Sequence, residues 1–153
     1  MLVIAAWASP GSAATFDPIG FFAGHTEGRG TLRVMLSRRR PVSVHGRGRV
    51  ERDGSLVLDQ TVAGGGADAP SERRWTFTPA GVGRDTGTLT DATGPVAGMV
   101  DGPRLHLHFH VKHGIVADQW LDLAADGHSA HNRMTFRKFG MVVARLDETI
   151  TRD

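Results

Sequence analysis

Three histidines at alternate positions of one segment are the residues whose type and spacing most plainly suggest chemistry. His106, His108 and His110 interrupt the otherwise apolar stretch 105–111. On a strand they would project from one face, with neighbours about 7 Å apart. Neutral imidazoles commonly bind zinc or copper, but a straight row of three brings at most two within reach of one ion. We therefore expect these histidines to face solvent, and we predict that they hold no metal.

No sequence pattern selects a catalytic centre. The chain contains no Gly-x-Ser-x-Gly elbow, no phosphate-binding loop and no His-Glu-x-x-His helix motif. It has no cysteine, which excludes disulfides, thiolate metal sites and cysteine nucleophiles. Asp118 or Asp122 with a histidine would make a catalytic dyad, but no spacing selects one. We predict no catalytic residue, no cofactor and no enzymatic activity.

Polar or aromatic side chains that could line a cavity occur in three segments, 73–77, 118–120 and 132–133. An arginine among aromatic residues on a cavity wall can hold a carboxylate or phosphate through two hydrogen bonds. An internal ion pair between Arg133 and Asp118 is the alternative. The candidate ligand-binding residues are Arg73, Trp75, Asp118, Trp120, Asn132 and Arg133.

Alternation of apolar and polar residues indicates the strands that must position these side chains. The predicted strands are 24–34, 42–50, 55–62, 72–78, 83–91, 96–100, 104–112, 115–124, 130–137 and 141–151, and no helix is needed. Their short connections require antiparallel neighbours, and so many strands would expose sheet edges unless the sheet closed. The predicted fold is all-β, a single antiparallel up-and-down barrel of about ten strands of the lipocalin or calycin type. A β-sandwich is the alternative.

Glycines occupy the apolar face of the first two predicted strands. Gly28 and Gly30 lie on the first, and Gly46 and Gly48 on the second. We expect the missing side chains to bend the sheet or to leave space in front of it.

Charge is concentrated in one segment of the chain. Residues 29–52 contain eight arginines and a single acid, Glu51, although the formal net charge of the protein is only +2. An anionic surface such as lipid headgroups is a candidate partner for Arg38, Arg39 and Arg40. A solvated hairpin is the alternative, and no nucleic-acid partner is predicted.

The N-terminal segment 1–14 resembles a signal peptide or its remnant. Residues 2–8 are apolar, and small residues at 12 and 14 suit a cleavage site, although no basic residue precedes them. The run is shorter than the roughly 20 residues that span a bilayer. We therefore expect a single barrel domain over 15–153 in a periplasmic or secreted protein. An N-terminal arm is the alternative.

A series of short motifs carries a resemblance to a known family. The motifs are 21–30, 73–75, 87–88 with Asp91, Gly94 and Gly98, then 118–120, 132–133 and 138–140. The series resembles small envelope proteins of Gram-negative bacteria, many described as lipoproteins, that form a domain of unknown function with a lipocalin-like fold. The resemblance implies that fold and an envelope location, but no particular activity. This chain lacks a cysteine for lipidation, and its histidine row is not part of the resemblance.

The sequence thus predicts a periplasmic or secreted barrel that binds an apolar or amphiphilic small molecule such as a lipid. The main alternative is a structural or protein-interaction barrel with a packed interior. Metal and haem binding are minor alternatives. Segment 21–30 is similar to the start of small haem-binding barrels, but Thr26 stands where those have tryptophan.

Overall fold

The computed structural model describes residues 14–153. Of the predicted leader 1–14, only Ala14 lies among the described residues. The elements, in chain order, are α1 (Pro18–Phe22), β1 (Gly24–Val34), β2 (Arg40–Val50), β3 (Leu56–Gly64), β4 (Ser71–Gly81), β5 (Arg84–Leu89), β6 (Val96–Asp101), β7 (Arg104–Val111), a 3-10 turn (Lys112–Gly114), β8 (Ile115–Leu123), β9 (Ser129–Lys138) and β10 (Met141–Arg152).

The ten strands form one closed antiparallel barrel in which each strand pairs with its neighbours in sequence. β1 pairs with β10 in a register that places Gly30 opposite Glu148, and this pairing closes the sheet. Closure satisfies both sheet edges. The predicted ten-strand up-and-down barrel is confirmed, and the alternative of a sandwich is excluded.

The strands bury alternate side chains, as their apolar patterns predict. On β7, Leu105, Leu107 and Phe109 are buried and the histidines between them face outwards. The Phe109 ring and the buried Trp75 indole pack at right angles, at a centroid distance of 5.5 Å. Contacts of this kind fill the half of the barrel nearest α1.

The prediction that no helix is needed is wrong, because α1 covers one end of the barrel. The Asp17 carboxylate caps this helix by accepting a hydrogen bond from the Gly20 amide at 3.1 Å, and Pro18 begins it. Both residues are favoured at a helix start. Phe21 and Phe22 are buried in the barrel end. Among residues 14–153, no helix is long and apolar enough to cross a bilayer.

The space in front of the glycines of β1 and β2 is filled. A Cβ atom on Gly48 would lie 1.8 Å from the carbonyl oxygen of Phe22, so the chain leaving α1 rests on this glycine. A Cβ atom on Gly28 would lie 3.0 Å from the carboxyl carbon of Glu148. These glycines make room for backbone and for a buried carboxylate, which corrects the expectation that they leave open space.

Candidate ligand-binding cavity

A cavity of about 200 Å³ lies inside the barrel, beyond the packed half that α1 covers. Trp75, Phe77 and Leu107 line its inner part. The wall towards the opposite end of the barrel is apolar and is made of Leu32, Val42, Val62, Phe136 and Leu146. We call this half-buried apolar end the mouth.

A layer of polar side chains lies between the packed core and the mouth. Arg73 on β4, Gln119 on β8, Asn132 on β9 and Glu148 on β10 all line the cavity. Asn132 stands directly opposite Glu148 in the β9–β10 register, and its Nδ2 donates to Glu148 Oε1 at 2.9 Å. Four strands thus bring a cation, a carboxylic acid and two amides to one level of the barrel, which we call the polar layer.

Each member of the polar layer has a buried atom without a hydrogen-bond partner among residues 14–153. These atoms are Arg73 Nε, Gln119 Oε1, Asn132 Oδ1 and Glu148 Oε2. Buried polar atoms are almost always hydrogen-bonded in proteins, to other protein groups, to ordered water or to a ligand. Four such atoms around one cavity mark a place where a bound molecule or water supplies the missing partners.

The two charged members of this layer are held in an unfavourable environment. Burial raises the pKa of Glu148, and the Asn132 hydrogen bond and the Arg73 charge offset only part of that effect. Burial likewise lowers the pKa of Arg73, against the opposing influence of Glu148 and Asp91. Among the described ion pairs, none joins Arg73 directly to Glu148, so the two groups face the same cavity from separate positions.

Three of the six residues predicted for the site lie at this cavity. Arg73, Trp75 and Asn132 all line it. The indole Nε1 of Trp75 donates to Gln60 Oε1 at 2.8 Å, which fixes the ring against the cavity wall. These three residues come from β4 and β9, which are far apart in sequence.

The other three predicted residues lie on the outer face of the barrel. Asp118 accepts hydrogen bonds from outward histidines, Trp120 stacks on the His106 ring at a centroid distance of 4.9 Å, and Arg133 donates to Asp122 at 3.0 Å. They do not line the barrel cavity, which corrects that expectation, although Trp120 and Arg133 both border a groove of about 730 Å³ on the outer face. The alternative pairing of Arg133 with Asp118 is also corrected.

The correction follows from the two-residue period of a strand. On β8 the buried residues are Ala117, Gln119 and Leu121, so Asp118 and Trp120 between them must point outwards. A shift of one residue reverses the face of every side chain. The segment 118–120 thus contributes its central glutamine to the cavity.

Sequence reasoning missed Gln119 and Glu148. Glu148 stands between Leu146 and Ile150 on the inward face of β10, where the pattern alone predicts an apolar residue. A single acid or amide on an otherwise apolar face is the signal that could have identified both residues.

The histidine row faces outwards, as the sequence predicts. His106 and His108 both donate to Asp118 Oδ1, at 2.9 and 2.8 Å, and Arg137 approaches the other oxygen at 3.5 Å. Burial alone would raise the pKa of Asp118, but the hydrogen bonds from His108 and His106 hold it below its ordinary value. The arrangement is that of a surface ion-pair network.

Replacing His108 by alanine is expected to change the free energy of unfolding by no more than about 0.5 kcal/mol, because exposed ion pairs contribute little. The His108 side chain is 46% exposed. The matched control is Leu107→Ala, next to it on the inward face and 2% exposed, which should cost about 2–5 kcal/mol. Urea unfolding measures both, and a loss above about 1 kcal/mol for His108→Ala would contradict this view of the row.

Comparison with protein families gives a match over residues 8–152 to the model described as "Protein of unknown function (DUF3833)". The chain belongs to this family. No curated protein matches the DUF3833 chain. The match over nearly the whole chain agrees with the single barrel of the structure.

Two solved structures share the fold of this DUF3833 chain. The S-type phycobiliprotein lyase CPES from Guillardia theta is 7% identical, with a TM-score of 0.70 over 88% of this chain and 90% of that one. A protein of unknown function from the DUF3598 family of Nostoc punctiforme is 14% identical, with a TM-score of 0.68 over 95% of this chain and 52% of that one. The DUF3833 barrel is therefore a lipocalin-like fold.

This comparison corrects the prediction that the chain is not an enzyme. That prediction rested on the lack of catalytic motifs in a barrel-forming sequence. A protein named as a lyase has the same fold, so such a barrel gives no ground for denying activity.

Proposed function

We propose that this barrel binds an amphiphilic small molecule, whose polar end enters the polar layer while its apolar part occupies the mouth. The observation that carries the proposal is the set of four unpartnered buried polar atoms around one cavity. Leaving such atoms without a hydrogen-bond partner costs about 1–3 kcal/mol each. A molecule that supplies those hydrogen bonds therefore binds more tightly. The cavity also supports ligand binding over the alternative of a packed structural barrel.

The polar layer favours a head group that is uncharged overall and both donates and accepts hydrogen bonds. Arg73 Nε offers a donor, and the free oxygens of Gln119, Asn132 and Glu148 offer acceptors. The cation and the acid balance each other when both are ionised. A fatty-acid carboxylate would meet Arg73 but would be repelled by ionised Glu148, so a hydroxyl- or amide-bearing amphiphile fits better.

The size of the cavity limits how much of the ligand it encloses. Its volume of about 200 Å³ exceeds the roughly 150 Å³ of an engineered cavity that holds benzene, and is below the roughly 300–1,000 Å³ typical of drug-sized ligands. We therefore place the head group and the first part of an alkyl chain inside. The rest of the chain passes the apolar residues of the mouth.

Native mass spectrometry of the full chain purified from its source cells tests this proposal. The expected spectrum contains the protein with one bound small molecule. The variant Arg73→Met/Glu148→Gln should lose it, and Arg74→Met, which changes the neighbouring outward residue, should keep it. A ligand-free spectrum for the wild-type chain, or equal retention by all three proteins, would count against the proposal.

We further propose that the mouth end docks on an anionic membrane surface, which suits a protein of the cell envelope. The β1–β2 and β9–β10 turns lie side by side there and expose apolar side chains, with Leu36 96% and Phe139 89% exposed. Met35 and Phe139 adopt positive φ angles of 29° and 51°, which are uncommon outside glycine. The exposed apolar set, which we call the rim, comprises Val34, Met35, Leu36, Phe139, Met141 and Val142.

Basic residues flank the rim as a membrane-docking surface requires. Arg38 and Arg39 in the β1–β2 connection and Arg40 at the start of β2 are all exposed, near Leu36. Lys138 precedes Phe139 in the other turn, with its Nζ 5.7 Å from the phenyl centroid. Apolar tips beside cationic side chains match a bilayer interface with anionic headgroups.

Replacing Arg38, Arg39 and Arg40 by serine is expected to weaken binding to anionic vesicles by about hundredfold, at about 1 kcal/mol per arginine. Co-sedimentation with phosphatidylglycerol-containing vesicles measures it. Wild-type binding should also fall as salt shortens the Debye length to about 8 Å and below.

Phe139→Ser should weaken binding too, whereas Val82→Ser, which changes an exposed valine at the opposite barrel end, serves as the matched control. Equal binding to neutral and anionic vesicles would contradict this docking mode.

A further inference from the structure

We infer that the outer face of β1 and β2 carries a divalent-metal site formed by His25, Glu27 and His45, suited to zinc or copper. One ligand atom from each of these residues lies within 4.8 Å of the others. The site is on the outside of the barrel, in a groove that His25 and His45 share with Arg73 and Gln60, two residues that also line the cavity. It differs from the sequence-based expectation that the protein holds no metal.

Strand pairing brings these three residues together, because they come from two neighbouring strands. Glu27 stands directly opposite His45 across the β1–β2 pair, and His25 lies two residues from Glu27 on the same face. Opposite side chains in an antiparallel pair start about 4.5–5.5 Å apart, closer than same-face neighbours along one strand. The His25 and His45 rings lie 6.4 Å apart and nearly parallel, at 21°. Two strands therefore supply a compact triangle of ligands.

The donor set is that of a metal site. Two imidazoles and one carboxylate are an established zinc ligand set, with bonds of about 2.0–2.2 Å that leave a fourth position for water. Glu27 Oε1 is already 3.6 Å from His45 Nδ1, a contact that a bound ion would bridge. All three side chains are partly exposed, so small rotations can complete the coordination.

A second carboxylate supports the orientation of one ligand. Asp153 Oδ2 lies 3.2 Å from His25 Nδ1, which leaves the Nε2 atom of that ring available. A carboxylate that holds the second ring nitrogen of a ligating histidine is the usual arrangement in zinc proteins. Asp153 also adds negative charge near the site.

Two arginines set the expected strength of binding. Arg47 stands opposite His25 on the same outer face, and Arg29 Nη2 is 3.8 Å from Glu27 Oε2. Their charges oppose a divalent ion, so Arg47→Ser is expected to tighten binding. The comparable set on β7 and β8, His106 and His108 with Asp118, is less suited to a metal ion, because Arg137 contacts the carboxylate that the two histidines share.

Isothermal titration of metal-stripped, tag-free full chain with Zn²⁺ tests the inference. One zinc per chain is expected. His25→Ala and His45→Ala should each weaken binding by at least about tenfold, since loss of even an outer-shell partner costs 10–100-fold. The control His131→Ala removes an outward histidine elsewhere and should bind as the wild type does.

X-ray absorption at the zinc edge gives the second readout. The expected spectrum shows two imidazole nitrogens and a carboxylate oxygen at about 2.0–2.2 Å. Failure to bind one zinc, unchanged affinity in both His25→Ala and His45→Ala, or loss of binding in His106→Ala would each overturn the site. Circular dichroism of every variant shows whether the barrel is intact. If a single variant does not fold, Glu27→Gln decides the question, with the same expected weakening.

Discussion

Removing both buried charges of the polar layer, in Arg73→Met/Glu148→Gln, is expected to stabilise the chain while weakening its binding of 1-monododecanoyl glycerol by about tenfold to hundredfold. A hydrogen bond to a charged group contributes about 1.5–3 kcal/mol, which corresponds to that loss of affinity. The same charges are poorly solvated in the empty barrel, and neutral replacements of similar size remove that penalty. Tryptophan fluorescence during titration, to which Trp75 at the cavity wall contributes, measures binding, and urea unfolding measures stability.

The Glu148 part of this effect has a defined dependence on pH. Burial raises the pKa of Glu148 above its ordinary value of 4.5, so folding favours the protonated acid. The stability that the protonated form provides is complete below pH 4.5 and is lost as the pH rises through the folded-state pKa. The advantage of Glu148→Gln over the wild type should therefore grow from about pH 4.5 upwards.

The neighbouring outward arginine provides the control for this double variant. Arg74 follows Arg73 on β4 and its Nε donates to Asp59 Oδ1 at 2.6 Å on the outer face. Arg74→Met should leave binding of the monoglyceride unchanged. If it weakens binding as much as the cavity variant does, or if the cavity variant binds normally, the assignment of the polar layer fails.

Replacing Gly48 by alanine is expected to destabilise the chain by about 2–3 kcal/mol, the upper part of the range for overpacking. The new methyl group would lie 1.8 Å from the Phe22 carbonyl oxygen and overlap it, and backbone cannot rotate away as a side chain can. The chain after α1 must lift, which exposes the phenylalanines at that end. Urea unfolding measures the loss, and hydrogen exchange of the Phe21 and Ala23 amides, bonded to Asp17 and Ile19, should accelerate.

Gly94→Ala is the matched control, because nothing lies within 4 Å of a Cβ at that glycine. Its stability should stay within about 0.5 kcal/mol of the wild type. An equal loss of stability in Gly48→Ala and Gly94→Ala would contradict the prediction that the contact with the Phe22 carbonyl sets the cost at Gly48.

The strands and their closure follow from sequence because their signal is repeated along the whole chain. Ten alternating segments with brief connections leave few arrangements that satisfy the sheet edges. The histidine row of β7 illustrates the strength of this signal, since the apolar residues between the histidines fix which face is buried.

The candidate site was predictable only in part. The interior face of a strand is recognised by its apolar residues, and polar residues that point into the barrel do not follow that rule. Asp118 and Trp120 have residue types typical of a binding site. The alternation of side chains along β8 nevertheless points them outwards and points Gln119 inwards. Glu148 is far from Gly28 in sequence, and only the pairing of β1 with β10 brings them together. Neither segment alone predicts that a glycine on one strand makes room for an acid on the other.

The helix α1 was missed for a different reason. It has only five residues, too few for a periodic pattern, and its evidence is confined to the Asp17-Pro18 start. The contact that anchors it is the backbone at Phe22 against Gly48, which depends on the closed barrel.

The most direct test of ligand binding by the polar layer is a crystal structure of the chain grown with 1-monododecanoyl glycerol. We expect glycerol hydroxyls within about 2.7–3.2 Å of Arg73, Asn132 and Glu148, with the alkyl chain passing Val42 and Phe136 towards the mouth. Only ordered water in the cavity, or the monoglyceride seated on the outer face of the barrel, would contradict this mode of binding.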